Sequence, residues 1–390
     1  MHADPLPAAD TITRANWRQR PYSRRAFCEI DRLLPVAELA NAGPPMPLPQ
    51  RPVDFTTLRI TLRAGESLTL EEFAGRTYTD GLIIVADGKL LHESLYPPLT
   101  ASTRHILMSA TKSVVGLVCG LLAGQGRLDP QAPVSDYVPE IRGSGYDGAT
   151  VRQLLDMRAD PGLDADDLAR YAAATNWEPQ APDAAPADLQ RFFAELPARR
   201  GRHGGVFRYI SANTDLLGWV IERAAGRRFA DVAAERLWSP LGAEHPAYIT
   251  VDDAGAPRTT GGLCATLRDF ARLGVLVAAG GRREDGRQVL PADWIDDLAT
   301  GGDRRAWDDG EFAQAFGRLP MCYRSGWYRL EGPQPLLFAM GVHGQHLFVD
   351  PASRLVIAKL SSYPQALDAG ATGRTLAAVA ALRRRVRPPR

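Results

Sequence analysis

The residues best able to do chemistry in this sequence are a serine and a lysine three positions apart, Ser109 and Lys112. Three lysines, at positions 89, 112 and 359, stand among the 46 basic residues of the chain, and the others are arginines. An arginine keeps its proton in a protein, whereas a desolvated lysine can lose its proton and act as a base. Because residues three apart share one face of a helix, we interpret the pair as the nucleophile and base of a serine hydrolase.

The surroundings of this pair strengthen a motif that is weak by itself, since Ser-x-x-Lys is common by chance on solvated helices. Apolar residues follow it at helical spacing, at Val114, Leu117, Val118, Leu121 and Leu122. The pattern predicts a buried helix with Ser109 at or near its N-terminus. Free backbone N–H groups and the helix dipole favour negative charge at that position.

Tyr209 is the third candidate, as a proton relay for Ser109 and Lys112. It precedes an amphipathic helix predicted over residues 216–225, with Asn213, Thr214 or Asp215 as its N-cap. A tyrosine in this position is by itself more typical of a core residue with a satisfied hydroxyl. Its interpretation as a relay depends on the other two residues.

Composition excludes several classes of function. The net charge is +1, with 46 basic and 45 acidic residues, so neither nucleic acid nor an anionic membrane is an expected partner. The four cysteines are scattered and the sequence has no dense His/Cys cluster, so we expect no metal and no cofactor. The N-terminus lacks the apolar core of a signal peptide, and no stretch approaches the ~18 apolar residues of a membrane helix. We therefore expect a cytoplasmic enzyme with a small-molecule substrate, and a homodimer as its candidate assembly.

Sheet signals lie near both ends of the chain. Residues 81–86 and 89–95 predict a hairpin around an Asp-Gly turn, and residues 344–350 and 355–360 predict a second one. A closing helix is predicted over 370–385.

The pattern between the two hairpins is mainly helical, and the beginning of the chain is proline-rich. We predict an arm at 1–52 with a short helix near 26–34. The remainder divides into an α/β part, built from 53–108 and 251–390, and a mainly helical part at 109–250.

Together these features resemble the serine β-lactamase and penicillin-binding-protein superfamily. The resemblance rests on Ser109-Ala110-Thr111-Lys112, on Tyr209-Ile210-Ser211 and on the glycine-bearing final hairpin, in the order typical of class C lactamases and family VIII carboxylesterases. The chain is also similar, along nearly its whole length, to the 6-aminohexanoate-dimer (nylon-oligomer) hydrolases. Matching segments outside the chemistry include Tyr137-Val138-Pro139-Glu140, Leu154-Leu155-Asp156-Met157, His343-Gly344-Gln345 and Leu360-Ser361-Ser362. The resemblance implies an α/β, β-lactamase/transpeptidase-like fold, in which helices flank an antiparallel sheet built from both termini, with an all-α insertion.

The resemblance also implies roles for individual residues. Ser109 would attack the carbonyl carbon, while Lys112 and Tyr209 share the proton that activates it and later protonates the leaving group. Which of the two is the base stays open, because their titrations are coupled. The backbone N–H groups of Ser109 and Val342 would form the oxyanion hole, since Ala339-Met340-Gly341 falls on the third family motif.

Two departures count against β-lactamase activity. Ala339 stands where the family has a lysine or histidine, so the usual cation for a β-lactam carboxylate is missing, and Arg324 or Arg329 are the candidate substitutes. Ser211 stands where lactamases usually have asparagine.

For the substrate pocket, Ser211, Trp327, Gly341 and His343 are candidates. Trp327 and its neighbour Tyr328 are as consistent with core aromatics. His343 could be drawn into a dyad with Asp350, although a structural or pocket residue is more typical at a strand edge.

The leading interpretation is a serine hydrolase that cleaves amides or esters through an acyl-enzyme. The alternatives are a β-lactamase or D,D-peptidase, which would need a cation for the substrate carboxylate, and a catalytically inactive binding protein. The last ranks lowest because all three candidate catalytic residues are present.

Overall fold

The computed structural model describes residues 6–62, 65–181, 183–199 and 201–386. The first five residues of the predicted arm and the last four of the chain lie outside them. In the described residues, the strands are β1 (Val36–Leu39), β2 (Ile60–Thr61), β3 (Ser67–Leu68), β4 (Thr79–Ala86), β5 (Lys89–Leu95), β6 (His105–Ile106), β7 (Ala159–Asp160), β8 (Arg202–His203), β9 (Ala247–Thr250), β10 (Leu263–Ala265), β11 (Met321–Arg324), β12 (Trp327–Leu330), β13 (Leu336–Gly341), β14 (Gln345–Asp350) and β15 (Leu355–Ser361).

Helices in the same residues are α1 (Ser23–Ala26), α2 (Leu70–Arg76), α3 (Thr111–Gly124), α4 (Val151–Leu155), α5 (Ala165–Ala174), α6 (Leu189–Ala194), α7 (Ser211–Ala225), α8 (Phe229–Ala233), α9 (Ser239–Leu241), α10 (Leu267–Ala278), α11 (Ala292–Thr300), α12 (Arg304–Asp308) and α13 (Ala369–Val386). A π-helical turn, Ala234–Trp238, joins α8 to α9. Short 3₁₀ turns include Ile30–Arg32, Met108–Ala110 and Val342–Gly344.

A seven-stranded antiparallel sheet forms the centre of the α/β part, in the order β11-β12-β13-β14-β15-β4-β5. It joins strands from both ends of the chain, because β15 pairs with β4. Both predicted hairpins are confirmed, and Asp87 and Gly88 have the positive φ values, 51° and 71°, that a tight two-residue turn requires. The predicted fold class is therefore confirmed.

Both faces of this sheet are buried, because the strands alternate between two hydrophobic cores. Ile83 and Val85 face the core that contains α3 and α10, whereas Leu82 and Ile84 face the core that contains α2 and α13. With α10 on one face and α13 on the other, the sheet is the middle layer of an α/β/α arrangement. The closing helix is thus confirmed and covers one face of the sheet.

A second antiparallel sheet, β1-β9-β10-β6, connects the arm to the beginning of the helical part. Its edge strand β6 leads directly into the turn Met108–Ala110 and then into α3. One local prediction is wrong here, because the short helix predicted near 26–34 is instead α1 followed by a 3₁₀ turn at Ile30–Arg32. Ser109 lies near the helix N-terminus as predicted, in the 3₁₀ turn that precedes α3.

Candidate active site

Ser109 lies in the turn between β6 and α3. The turn is held to the second sheet by the Leu107 N–H, which donates to the Leu263 carbonyl at 2.8 Å. The next residue, Met108, has a φ of 47°, a strained value for a side chain of this size, and its side chain is buried. The packing that enforces this strain fixes the direction of the turn, and Ser109 faces a large cavity.

Lys112 lies one turn further along, on the buried side of α3, where 2% of its surface is exposed. Its Nζ donates to the Thr260 carbonyl at 2.7 Å and contacts Ser109 Oγ at 3.1 Å. Burial, together with the positive charge of Arg258, lowers the pKa of Lys112 well below its usual value. The neutral amine can accept the hydroxyl proton of Ser109 across the same 3.1 Å contact.

Tyr209 approaches the same serine from the segment before α7. The Ser109 and Tyr328 side chains both hydrogen-bond to its hydroxyl. Burial nevertheless raises the pKa of Tyr209 to about 12, so the tyrosine holds its proton at neutral pH. Lys112 Nζ lies 4.9 Å from the centroid of the Tyr209 ring, and the ring stacks on Phe312 with centroids 5.1 Å apart. The three predicted catalytic residues therefore meet at one point.

A buried polar cluster next to Lys112 holds Thr260 in place, and the Thr260 carbonyl oxygen accepts the hydrogen bond that orients the Lys112 amine. Asp215 accepts from the Thr260 N–H at 2.8 Å, pairs with Arg258 and accepts from the Tyr171 hydroxyl at 2.5 Å. The prediction that Asp215 or one of its two predecessors caps a helix at 216–225 is wrong. The helix α7 begins at Ser211, and Asn213, Thr214 and Asp215 are buried inside its first turns.

The end of β13 runs against the Ser109 turn at Gly341. A Cβ at this position would lie 2.5 Å from the Leu107 carbonyl oxygen, so the two backbones can approach this closely only with a glycine. Val342, the next residue, lines the cavity together with Ser109 and Gly341. The structure thus brings the predicted oxyanion residues to the same wall.

The cavity has a volume of about 830 Å³ and a largely apolar lining. Phe312, Phe316, Leu319 and Met340 belong to one wall, near Tyr209, and the first turns of α13 form part of the lining. Such a space fits a small molecule with an aliphatic or aromatic body.

Three of the predicted pocket residues lie outside this lining. Trp327 is a core residue with 1% of its surface exposed, and its indole N–H donates to the Ser113 carbonyl at 3.1 Å. His343 directs Nδ1 to the Tyr363 carbonyl at 2.7 Å and packs against Phe27. Ser211 is the first residue of α7. The turns that carry Trp327 and His343 direct both side chains into the core, whereas Ser211 is half-buried and its place in the pocket stays a prediction.

The other charged residues predicted near the pocket form ion pairs elsewhere in the structure. Asp350 pairs with Arg383 at 2.8 Å and lies at the far end of β14 from His343, so the two do not form a dyad. Arg324 pairs with Asp156 and Asp297, each at 2.7 Å. Arg329 pairs with Glu331 at 2.9 Å, so neither arginine supplies the missing cation in the cavity.

Two residues that line the cavity were not identified as pocket residues from the sequence. Tyr328 was left undecided between pocket and core, and it lines the cavity and hydrogen-bonds to Tyr209. Arg374, on α13, contributes a cation to the cavity wall. No motif marks it, because its position depends on how the last helix docks on the sheet.

Across the described ranges, no group of three or more His, Cys, Asp or Glu side chains is arranged to hold a metal ion. Nor does any helix in those ranges have the length and apolar character needed to cross a membrane.

Comparisons with known proteins agree with this geometry. The Beta-lactamase family model matches residues 69–382. The sequence is 35% identical over 367 residues to the 6-aminohexanoate-dimer hydrolase of Paenarthrobacter ureafaciens, which covers 92% of this chain and 90% of that protein.

Two solved structures share the fold. A Bacillus anthracis protein provisionally named a 6-aminohexanoate-dimer hydrolase superposes with a TM-score of 0.84 at 24% identity, covering 99% of this chain and 100% of that one. A penicillin-binding-protein homologue from Caulobacter crescentus has a TM-score of 0.59 at 19% identity and covers 80% and 96% of the two chains. The family match and the curated relative together show that this chain belongs to the β-lactamase family and is a serine hydrolase.

Proposed function

We propose that this enzyme hydrolyses amide or ester bonds of small molecules, with Ser109 as the nucleophile. The name of its relative, a 6-aminohexanoate-dimer hydrolase, supports this proposal. The observation that carries the proposal is the 3.1 Å contact between Lys112 Nζ and Ser109 Oγ, in a cavity large enough for a substrate. In the first step Ser109 Oγ bonds to the carbonyl carbon, and the amine or alcohol leaves. Water then hydrolyses the acyl-enzyme in the second step.

The pKa values of Lys112 and Tyr209 shift in opposite directions, so each residue is suited to a different proton transfer. Lys112 has a lowered pKa and is therefore the general base, which removes the Ser109 proton. Tyr209 has a raised pKa and keeps its proton, so it is the general acid that delivers a proton to the leaving group. The Tyr328 hydroxyl interacts with that of Tyr209, while the Ser109 hydrogen goes to Lys112, so Tyr209 can give its own hydrogen to the leaving group. The proton then passes from Lys112 to Tyr209, which restores both groups for the second step.

Charge develops on the carbonyl oxygen during both steps. We propose that the backbone N–H groups of Ser109 and Val342 stabilise it, because both residues lie on one cavity wall. The position of Ser109 beside the N-terminus of α3 adds a favourable dipole.

β-Lactamase or D,D-peptidase activity is less well supported. Ala339 is fully buried on β13 and provides no charge, and Arg324 and Arg329 are paired elsewhere. Among a short-chain aryl ester, a 6-aminohexanoate oligomer and nitrocefin, we expect nitrocefin to have the lowest kcat/KM. Nitrocefin as the best of the three would reverse this ranking and favour a lactamase.

The test of the proposed function is a pre-steady-state burst with a chromogenic ester, followed by mass spectrometry of the quenched protein. We expect a burst close to one equivalent and an acyl group on the peptide that contains Ser109. An acyl group on another residue, or turnover without any covalent species, would contradict the proposal.

Three further proposals follow from the sequence analysis. We propose a cytoplasmic location and a homodimer, which cell fractionation and light scattering would test. We also propose that residues 1–52, 53–108 with 251–390, and 109–250 are the structural divisions of the chain. Limited proteolysis should then cut first near position 52, where the chain is exposed, because the residues at 108 and 250 are buried.

A further inference from the structure

The proposed oxyanion donor Val342 lies in a three-residue turn between β13 and β14. Gly341 and Gln345 are the last paired residues of these strands, so Val342, His343 and Gly344 make the connection alone. His343 and Gly344 have φ values of 59° and 91°. A histidine in the left-handed region is strained, and such strain persists only where the surrounding structure enforces it. The turn therefore needs partners outside itself.

Gln345 holds this turn from inside the fold, with 0% of its surface exposed. Its Nε2 donates to the Ser361 carbonyl at 2.7 Å and to the Val342 carbonyl at 3.3 Å, and its Oε1 accepts from the Ser361 N–H at 3.1 Å. Both N–H donors of the amide are therefore used. They tie the turn to β15 beyond His346 and Lys359, the last backbone pair of β14 and β15.

These contacts hold Val342 on both of its sides. The peptide before it is held by the pairing of Gly341 with Gln345, and by the close approach of Gly341 to the Leu107 carbonyl oxygen, which a Cβ would meet at 2.5 Å. The peptide after it is held by the hydrogen bond from Gln345 to the Val342 carbonyl. With both peptide planes held, the direction of the Val342 N–H is fixed. An oxyanion hole depends on this direction, because its donors must be in place before charge develops.

Two segments that match the related hydrolases outside the catalytic motifs meet at this point, His343-Gly344-Gln345 and Leu360-Ser361-Ser362. Gln345 bonds to the backbone N–H and carbonyl of Ser361, whereas Lys359 contacts the Ser361 hydroxyl. The turn and the buried lysine thus use different atoms of the same residue.

We propose that Gln345 is a positioning residue for the oxyanion hole, because its amide holds the Val342 N–H in the direction that stabilises the charged carbonyl oxygen. This inference rests on the proposed function, since Val342 is a donor only in that reaction. Among the described residues, Gly341, Val342 and Gly344 line the cavity, whereas Gln345 is fully buried behind them. Gln345 therefore acts through the turn and does not touch the substrate.

The test removes the amide and keeps its size. Gln345→Met preserves the length of the side chain and removes its hydrogen bonds. Gln345→Glu preserves the shape and the acceptor for the Ser361 N–H, so it should retain more activity, and it carries the test if the methionine variant does not fold. Gln288→Met is the matched control, because the Gln288 amide donates to the Gly280 and Leu290 carbonyls in a loop outside the cavity.

We expect Gln345→Met to lower kcat for p-nitrophenyl butyrate by about 10- to 100-fold, with KM changed by less than about threefold. The donors of an oxyanion hole bind the charged oxygen of the transition state and add little in the ground state, so their displacement acts on kcat. Rates are corrected for the folded fraction measured by circular dichroism. Gln288→Met should change neither constant.

A boronic acid separates this role from a general structural one. When butylboronic acid binds, Ser109 Oγ bonds to boron, the serine proton passes to Lys112, and the charged adduct resembles the tetrahedral intermediate. Its affinity should fall about as much as kcat/KM in each Gln345 variant. Butyranilide, a ground-state ligand, should bind the Ser109→Ala protein within about threefold of the same affinity with and without Gln345→Met. Equal losses for both ligands would mean a distorted cavity and would overturn the inference.

The wild-type enzyme distinguishes the two ways in which the test can fail. An active wild type whose Gln345 variants keep kcat and boronate affinity within about twofold would overturn this inference alone. A wild type that gives neither a burst nor a boronate adduct on Ser109 would overturn the proposed function, and the inference with it.

Discussion

Two of the three lysines of this chain lie in nearly the same chemical surroundings, and one of them is proposed to be catalytic. Lys112 contacts the Thr260 carbonyl, the Ser109 hydroxyl and the ring of Tyr209. Lys359 contacts the Thr77 carbonyl, the Ser361 hydroxyl and both the hydroxyl and the ring of Tyr363. Burial lowers the pKa of both amines, that of Lys359 to about 7.

The two clusters differ in access and in backbone geometry. Ser109 lines the cavity, whereas Ser361 is fully buried at the end of β15, with its N–H bonded to Gln345 Oε1 at 3.1 Å. Ser109 also lies beside a helix N-terminus and lines the same cavity as Val342, and the backbone N–H groups of these two residues are the oxyanion donors that we propose. A serine, lysine and tyrosine in contact therefore do not make an active site unless a substrate can reach the serine and donors surround the carbonyl oxygen.

Removing each serine in turn should have very different effects in the two clusters. Ser109→Ala should lower turnover by about 10³- to 10⁶-fold and abolish the acyl-enzyme, as loss of a nucleophile does. Ser361→Ala should leave kcat/KM within about threefold. Burst kinetics and mass spectrometry of both variants measure this, and substantial activity in Ser109→Ala would move the nucleophile elsewhere.

Replacing each lysine with arginine tests whether the amine works as a base. Lys112→Arg keeps the positive charge but cannot become neutral, so it should be nearly as damaging as Lys112→Ala, with a loss of about 10³-fold. The same change at Lys359 should lower the free energy of unfolding, because a larger charged group must fit a fully buried site. Steady-state rates and urea denaturation separate the effects. A near-native rate for Lys112→Arg would leave Lys112 as an electrostatic bystander.

Tyr209→Phe keeps the ring that packs on Phe312 and removes the proton donor. We expect the rate to fall by ~10²–10⁴-fold, the usual contribution of general acid–base catalysis, with a larger loss for amides than for nitrophenyl esters. An amine leaving group needs a proton, whereas nitrophenolate does not. Equal losses on both substrates would mean that Tyr209 activates Ser109 without protonating the leaving group, and an unchanged rate would make it a core residue.

Tyr328→Phe should have a smaller effect of the same kind. Its hydroxyl hydrogen-bonds to Tyr209, so its removal raises the pKa of Tyr209 further and lets its orientation vary. We expect kcat to fall about tenfold with little change in KM, and the alkaline limb of the pH–rate profile to move upward. Tyr363→Phe is the matched control in the other cluster, and an equal loss of kcat there would contradict a specific role for Tyr328.

Local patterns in the sequence were sufficient for the two main hairpins and for α13, and they also marked the three candidate catalytic residues, whose roles stay predictions. In each of these, periodicity or a short motif carries the information. The contacts between distant segments could not be predicted in this way. Trp327 points into the core because the Ser325-Gly326 turn packs against α3, where a Cβ at Gly116 would lie 1.9 Å from the Ser325 carbonyl oxygen.

The same limit explains the errors around α7 and the cavity. Asn213 and Asp215 have the composition of helix caps, but they are used as buried partners of Tyr146 and Arg258, which are distant in the sequence. Arg374 joins the cavity through the docking of the last helix on the sheet. Tertiary contacts thus decide what polar residues do, and local preference decides where the elements form.

The stability of the protein should depend on pH through Lys359, because burial lowers the pKa of its amine. The pKa of Lys359 is about 7 in the folded protein and near 10.5 in an unfolded chain, so between these values the unfolded chain binds a proton that the native state does not. The free energy of unfolding should therefore rise with pH across this window, by up to about 1.4 kcal/mol per pH unit. Below pH 7 the cost of burying the amine is present in full. Asp80 opposes the shift, and His346 stays neutral because its own pKa is lowered to about 3.

Lys359→Met keeps the length of the side chain and removes the charge, so its stability relative to the wild type should be greatest at pH 6 to 7. That advantage should shrink steadily toward pH 10. Lys89→Met, at the exposed third lysine, should show no such slope. Urea unfolding of the three proteins at several pH values measures the difference. A flat difference for Lys359→Met would mean that Lys359 stays charged beside Asp80, and the two lysine clusters would then be chemically distinct as well as differently exposed.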